Sequence, residues 1–313
     1  MSAPAIVVHG GAGAAQEYAD GCDVAAVAGL TVLHSGGEAL EAVVRAVAAL
    51  EDDGRFNAGT GAVVAPDGVT VELDASVMDT RGRLGAVACV RDLRNPVLLA
   101  RAVADTPHRL IAGEGAQRLA SVLQLQSAVP VTEEQQRRRM DSLRATLTST
   151  SLRETAKLAQ VLHAWNYPGQ PVADATRRSQ AACDTVGAVA RDADGHFAVA
   201  ASTGGVAPAL LGRVGDTPLL GAGFYAGGNG AVAVTGTGED IIPLLLAHTV
   251  YQWITGGMPL QQALERGVAQ LPEGSDIGII AVSRTEAGHH SNRAMPTSNG
   301  HSLNAEKFII QRT

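Results

Sequence analysis

Residues 133–182 lose the pattern that marks the chain on either side, and at Thr185 that pattern resumes at once. Upstream and downstream, short apolar runs alternate with glycine-bearing turns. The intervening stretch instead carries Arg137-Arg138-Arg139, many serines and threonines, and Tyr167-Pro168-Gly169. Helices are predicted over 133–147 and 151–163, with the three arginines on a solvated face, then a loose segment at about 165–184. Any fold of this chain must tolerate a weakly patterned insertion that ends where a strand begins.

The flanking elements are of both kinds. A strand over 5–8 runs into His9-Gly10-Gly11-Ala12-Gly13, and helices are predicted near 23–34 and 38–50. In the second helix Leu40, Val43, Val44, Val47 and Leu50 recur at helical spacing. Residues 61–65 and 69–77 read as a hairpin about Pro66-Asp67-Gly68. Within 69–77, Val69, Val71, Leu73, Ala75 and Val77 share one face, and Thr70, Glu72, Asp74 and Ser76 the other. A strand over 84–90 and helices over 96–104 and 114–125 complete this half. After the insertion, strands over 186–191 and 196–201 flank Ala193-Asp194-Gly195. Residues 221–234 are glycine-rich and strand-like, helices are predicted over 240–254 and 260–269, and an apolar strand over 277–282. Strands and helices, an insertion, strands, then helices imply an α+β fold of stacked sheets between helical layers, as one domain of 1–313.

Composition narrows the chemistry. Aromatic residues make up only 3%, so core volume must come from Val, Leu, Ile and Ala. A net charge of −7 offers nothing attractive to nucleic acid or an anionic membrane. No apolar run reaches a membrane-spanning length, and residues 1–5 lack the basic and apolar parts of an export signal. Cys22, Cys89 and Cys183 have no metal-type spacing, and Cys89 reads as a buried small hydrophobe. These features predict a reducing, cytoplasmic setting. Gly10-Gly11-Ala12-Gly13 lacks the spacing of a nucleotide loop. His9 is expected to be a structural, hydrogen-bonded histidine.

Chemistry concentrates after the insertion. Thr185 lies in Cys183-Asp184-Thr185-Val186-Gly187, and Thr203 in Ser202-Thr203-Gly204-Gly205. Gly212-Arg213-Val214-Gly215-Asp216 and Thr235-Gly236-Thr237-Gly238-Glu239 follow. A threonine hydroxyl needs a base, and the neatest one is the residue's own α-amine, which titrates near ~7.7–8.0. That amine exists only if the Asp184–Thr185 bond is cut. Thr203 can steady the amine and hydroxyl. Arg213 and Asp216 can grip the carboxylate and ammonium of an amino-acid head group. Thr235 and Gly236 can face a tetrahedral oxyanion. Each feature alone has a plainer reading as a strand start, a surface ion pair or a turn.

Together with Phe56-Asn57-Ala58-Gly59, Glu72-Leu73-Asp74-Ala75 and Val77-Met78-Asp79, these motifs make the chain resemble the plant-type asparaginase and isoaspartyl peptidase family. These are N-terminal-nucleophile hydrolases, and the resemblance covers nearly the whole length. It implies an αββα sandwich, cut into 1–184 and 185–313 and assembled as a homodimer of cleaved pairs. It implies Thr185 as nucleophile with Thr203 hydrogen-bonded nearby, and Arg213 and Asp216 holding an aspartyl head group. Thr235 and Gly236 would form the oxyanion hole, Gly238 would shape the pocket, and Asn57 would orient the nucleophile region. A loop through Leu50, Glu51 and Phe56 would wrap a sodium ion with backbone carbonyls; no other cofactor is implied. The implied reaction is hydrolysis of β-aspartyl amides, isoaspartyl dipeptides before asparagine. A glycosylasparaginase, an amidase for a larger metabolite, and an uncleaved binding protein are the alternatives.

The chain departs from that family in two places. Residues 206–211 are apolar and contain Pro208 where relatives often carry Met or Lys. Gly227-Gly228-Asn229-Gly230 is unusually rich in glycine. Both are expected to border the leaving-group side.

Overall fold

A computed structural model describes residues 3–128, 132–134, 136–137, 140–141 and 185–300. Asp184, the helix expected over 151–163, the loose segment at about 165–184 and most of the helix expected over 133–147 lie outside the described residues.

Two sheets stack face to face. The first has seven strands in the order β11-β1-β5-β6-β2-β3-β4. They are β1 (Ala5–His9), β2 (Leu73–Asp79), β3 (Leu84–Val90), β4 (Leu110–Ala112), β5 (Val186–Arg191), β6 (Phe197–Thr203) and β11 (Thr297–Asn299). The second has four, in the order β10-β9-β8-β7: β7 (Phe224–Gly227), β8 (Gly230–Gly236), β9 (Ile277–Ser283) and β10 (Ala287–Ser291). Among the described strands only β3 and β4 pair in parallel.

Period-two alternation builds three apolar layers from these strands. Ile6 and Val8 of β1, with Val186, Ala188 and Ala190 of β5, face α1 (Ala19–His34) and α2 (Ala39–Asp53). Their neighbours Ala5, Val7 and Val189 face the second sheet, where they meet Phe224, Ala231, Ala233 and Ile280. On the far side Val232, Val234 and Ile279 pack under α6 (Leu246–Thr255) and α7 (Leu260–Val268). The layers run helix, sheet, sheet, helix: the αββα sandwich. Helices α3 (Pro96–Val103) and α4 (Gly113–Val122) extend the first helical layer. The helical stripe of α2 is buried throughout, and Gly54 closes the helix in the left-handed region at φ +78°.

Four expectations fail locally, each for a physical reason. Residues 61–65 and 69–72 form a loop, so the expected hairpin is absent and β2 begins only at Leu73. The Asp67 carboxylate accepts the N–H groups of Val69 and Thr70 and the Thr70 hydroxyl, which diverts those donors from a ladder. The helix expected over 240–254 is broken into α5 (Gly238–Ile241) and α6, because Pro243 lacks an N–H and Leu245 turns left-handed at φ +44°. Cys89 is half-buried rather than buried, beside a register shift where Asp74 accepts its N–H. The Gly227–Gly230 stretch forms the β7–β8 turn, held by Arg284, at the end of β8 away from Thr235.

Candidate active site

Strand ends from both sheets meet at one edge of the sandwich. Thr185 immediately precedes β5, and Thr203 ends β6. The pairing of Val186 with Ser202 sets these threonines side by side. Thr235 and Gly236 end β8 in the other sheet. The link between sheets is direct: the Thr185 N–H donates to Thr235 Oγ1 at 3.3 Å. The Ala12 N–H donates to the same oxygen at 3.3 Å, so the glycine-rich opening loop supplies a backbone donor here. A hydroxyl oxygen that accepts from two N–H groups must direct its own proton elsewhere.

Thr185 is 5% exposed, and its Oγ1 lies 3.3 Å from Thr217 Oγ1. Thr203, expected at that position, instead accepts the Gly205 N–H at 3.0 Å in a local turn. It borders the cavity without bonding to Thr185. Thr217 is the residue sequence reasoning missed. Its one sequence signal is a hydroxyl directly after Asp216, and its fixation depends on Ser76, whose hydroxyl donates to the Thr217 carbonyl at 2.7 Å.

Thr185, Thr203, Thr217, Arg213, Asp216 and Gly236 line one cavity, completed by Gly205, Val206 and Gly215. Asp216 is buried, and burial pushes its carboxyl up to about 7 against the lowering influence of Arg213. Its Oδ2 meets no hydrogen-bond partner among the described residues, so the cavity holds an acid that a cation would stabilise. Arg213 gives its Nε and Nη2 to the two carboxylate oxygens of Glu239 at 2.9 and 2.8 Å. Its Nη1 lies on the side of Gly215, a cavity residue. Glu239 thereby holds one edge of the guanidinium and turns the other toward the cavity.

Glycines make room for this arrangement. A Cβ at Gly238 would sit 2.9 Å from Arg213 Nη2 and 3.0 Å from Asp216 Oδ1. Gly236 adopts φ +147°, and a Cβ there would run into the Asp276 carbonyl. Asn57 does not touch Thr185. Its Nδ2 donates to the Gly205 carbonyl at 2.7 Å, its Oδ1 accepts the Val63 N–H at 2.9 Å, and its carbonyl accepts the Gly204 N–H. It pins the turn that follows Thr203.

Sequence comparison gives the chain a family. The profile of the asparaginase family matches residues 2–305. The chain belongs to that family. It is 39% identical to the isoaspartyl peptidase of Escherichia coli K12, over 95% of this chain and 90% of the relative. It is 37% identical to an isoaspartyl peptidase/L-asparaginase of Xenopus laevis, over 90% and 86%. A plant-type L-asparaginase of Pyrococcus abyssi is also 37% identical, over 92% and 93%.

Two further parts of this asparaginase-family chain bear on the site. His9 is buried, and burial lowers its pKa to about 3. Neither ring nitrogen meets a partner among the described residues, so it is not the hydrogen-bonded histidine expected; Gly187 leaves space for Nε2. Leu50 and Glu51 lie within α2 and not in the expected loop, which begins only after Asp53; a Cβ at Gly59 would lie 2.8 Å from the Glu51 carbonyl, and one at Gly61 would lie 2.8 Å from the Gly54 carbonyl and against that of Phe56. The carbonyls of Glu51, Gly54 and Phe56 each face one of these glycines, and carbonyl oxygens are the kind of donor a hard cation such as sodium takes. The buried Glu51 carboxyl is pushed up to about 8 by desolvation, and its Oε1 accepts the Val97 N–H.

Proposed function

We propose that this protein is a self-processing threonine amidohydrolase that cleaves β-aspartyl amides, with isoaspartyl dipeptides as better substrates than asparagine. The observation that carries the reading is the Thr185 hydroxyl in a cavity that also holds Arg213 and the unpartnered Asp216 oxygen. The names of its relatives agree with it.

In maturation, Thr185 Oγ1 attacks the Asp184 carbonyl carbon. The peptide C–N bond breaks as the Thr185 nitrogen takes up a proton and becomes the free α-amine, an ester joins Oγ1 to the Asp184 carbonyl, and water then opens that ester to the Asp184 carboxyl and the Thr185 hydroxyl. In turnover that amine takes the Oγ1 proton as the oxygen attacks the β-carbonyl of the substrate. The Thr235 hydroxyl and the Gly236 N–H receive the oxyanion. The leaving amine departs with a proton, and a β-aspartyl ester remains on Thr185. Water, activated by the same amine, releases aspartate. Arg213 takes the α-carboxylate, Asp216 takes the α-ammonium, and Gly238 leaves room for both. Thr217 and Thr203 flank the nucleophile, and Asn57 keeps the adjoining turn in place.

The proposal includes a sodium ion held by backbone oxygens of the loop through Leu50, Glu51 and Phe56. Such an ion would neutralise converging carbonyl dipoles and stiffen the loop before Asn57. It also includes a homodimer of cleaved pairs in the cytoplasm. Among the described residues no helix is long and apolar enough to cross a membrane.

Denaturing mass spectrometry of the purified protein tests the core of this reading. Two fragments are expected, the second beginning at Thr185. Thr185→Ala should leave one intact chain without turnover. An intact chain in a working enzyme would refute the assigned base, and hydrolysis of glycosylasparagine alone would overturn the substrate.

A further inference from the structure

Just before Asn57 two backbone oxygens converge. The carbonyls of Gly54 and Phe56 both face the point where Gly61 would carry a Cβ. Converging carbonyl dipoles repel one another until a cation draws their negative ends together. The segment that presents them, residues 54–56, is held from two sides.

Arg55 holds it from outside. Its backbone N–H and its Nε donate to Asp53 Oδ1 at 3.2 and 2.7 Å, and its Nη2 donates to Asp53 Oδ2 at 2.7 Å. The same guanidinium reaches the first turn of α1, giving Nη1 to Asp20 Oδ1 at 2.8 Å and Nη2 to Asp20 Oδ2 at 3.1 Å. One planar group thus bonds two carboxylates by paired donors, a geometry that a lysine ammonium cannot copy. Arg55 also lies over the Tyr18 ring, 5.3 Å from its centroid. Phe56 holds the segment from inside. Its ring is fully buried against Gly10 and Gly21, where any Cβ would collide with it. Tyr18 meets that ring edge to face, with centroids 5.9 Å apart, so the two anchors share a neighbour.

Resting on the sodium ion of the proposed function, we propose that Arg55 is the positioning residue for that ion. By tying the end of α2 to the start of α1 it holds the 54–56 carbonyls converged before the cation arrives, so less ordering remains to be done on binding. Its charge works the other way, since a guanidinium repels sodium. That repulsion is the smaller effect. Asp20 and Asp53 offset it, and the cluster is part-exposed to salt that screens over about 10 Å at 0.1 M. Asn57 follows the segment directly, so the same clamp bears on the turn after Thr203.

The test is thermal melting of the purified protein in rising sodium chloride, with choline chloride keeping total salt constant. The sodium concentration at which the melting temperature starts to climb reports the dissociation constant. Arg55→Ala and Arg55→Lys should each raise that concentration by roughly five- to tenfold, the effect expected of about two part-exposed ion pairs. Asp20→Asn, at an exposed position, should raise it by about two- to threefold. A merely structural role would lower the melting temperature equally at every sodium concentration, and that result would overturn the proposal. So would a lysine variant that matches the unaltered protein, or an alanine variant that takes sodium more tightly. Each of these leaves the ion standing. If the Arg55 variants fail to fold, Asp20→Asn decides, and an unshifted onset overturns the clamp. A melting temperature of the unaltered protein that ignores sodium would overturn the ion and the clamp together, and would leave the β-aspartyl reaction untouched.

Discussion

The two sides of the cavity are built from opposite materials. On one side Arg213 and Asp216 hold charge in a buried setting, steadied by Glu239 and given room by Gly215 and Gly238. On the other, beyond Arg213, Val63, Val64, Ala65, Val206, Leu210 and Leu211 line a hollow together with the carboxylates Glu72 and Asp74. Buried charge costs free energy unless something pairs with it, so the polar side is committed to one kind of ligand. An apolar wall discriminates by only ~1–3 kcal/mol per methylene-sized difference, so the second side can vary its preference without endangering the first.

The hardest way to break this contrast is Arg213→Ala. It should lower kcat/KM by a factor of roughly 30 or more, since removing one member of a buried charged pair costs about 2–5 kcal/mol. The loss should be the same for every leaving group and should spare the Asp184–Thr185 cut. A loss that varies with the leaving group would place Arg213 on the other side of the contrast; a lost cut would make it structural.

A second probe is pH. Burial holds Asp216 at about 7 rather than 3.8, so its charged form is the minor one below neutrality. Binding of a substrate ammonium requires the charged form, so protonation of Asp216 should add up to tenfold per unit to the fall of kcat/KM below pH 7 that protonation of the proposed Thr185 α-amine causes. The sign for stability is reversed: the folded state binds that proton more tightly, so this group's contribution declines as pH rises from about 4 to 7. In Asp216→Asn the acid limb of the pH–rate profile should become shallower, leaving only the part that protonation of the Thr185 α-amine causes; an unchanged limb would assign all of it to that amine.

Smaller effects separate the two flanking threonines. Thr217→Val should slow turnover by a few-fold to about tenfold, the worth of one neutral hydrogen bond to the nucleophile. Thr203→Val should show mainly as a lower melting temperature, because its hydroxyl serves the Gly205 N–H. The reverse ranking in steady-state kinetics would restore the assignment made from sequence. The smallest expected effect is that of Glu239→Gln, which keeps one acceptor for Arg213. KM should rise a few-fold for all aspartyl substrates with kcat nearly constant; a kcat effect would argue that Glu239 does more than aim the guanidinium.

Much of the fold was legible because it follows from short-range rules. The stripe of α2 and the two-faced apolar strands β1, β5 and β9 obey periodicity, and their burial follows. The failures came where a side chain or a missing proton intervened. Asp67 captured the backbone donors of the expected hairpin, and Pro243 interrupted the expected helix. The same holds at the site. Thr185, Arg213, Asp216 and Thr235 stand in glycine-bracketed motifs visible along the chain, whereas Thr217 has no such frame. Its place beside the nucleophile depends on Ser76, 141 positions away.

The chain by itself determined its residue chemistry and its layers. A strand that is apolar on both faces, such as β1, must bury both, and Thr185 stands where strand patterning resumes after residues 133–182. Tertiary structure alone decided which hydroxyl meets Thr185, that Glu239 aims Arg213, and that Val63 and Leu211 share one hollow. Those choices rest on contacts between segments far apart in sequence. They are set by how two sheets register against each other, which no local pattern encodes.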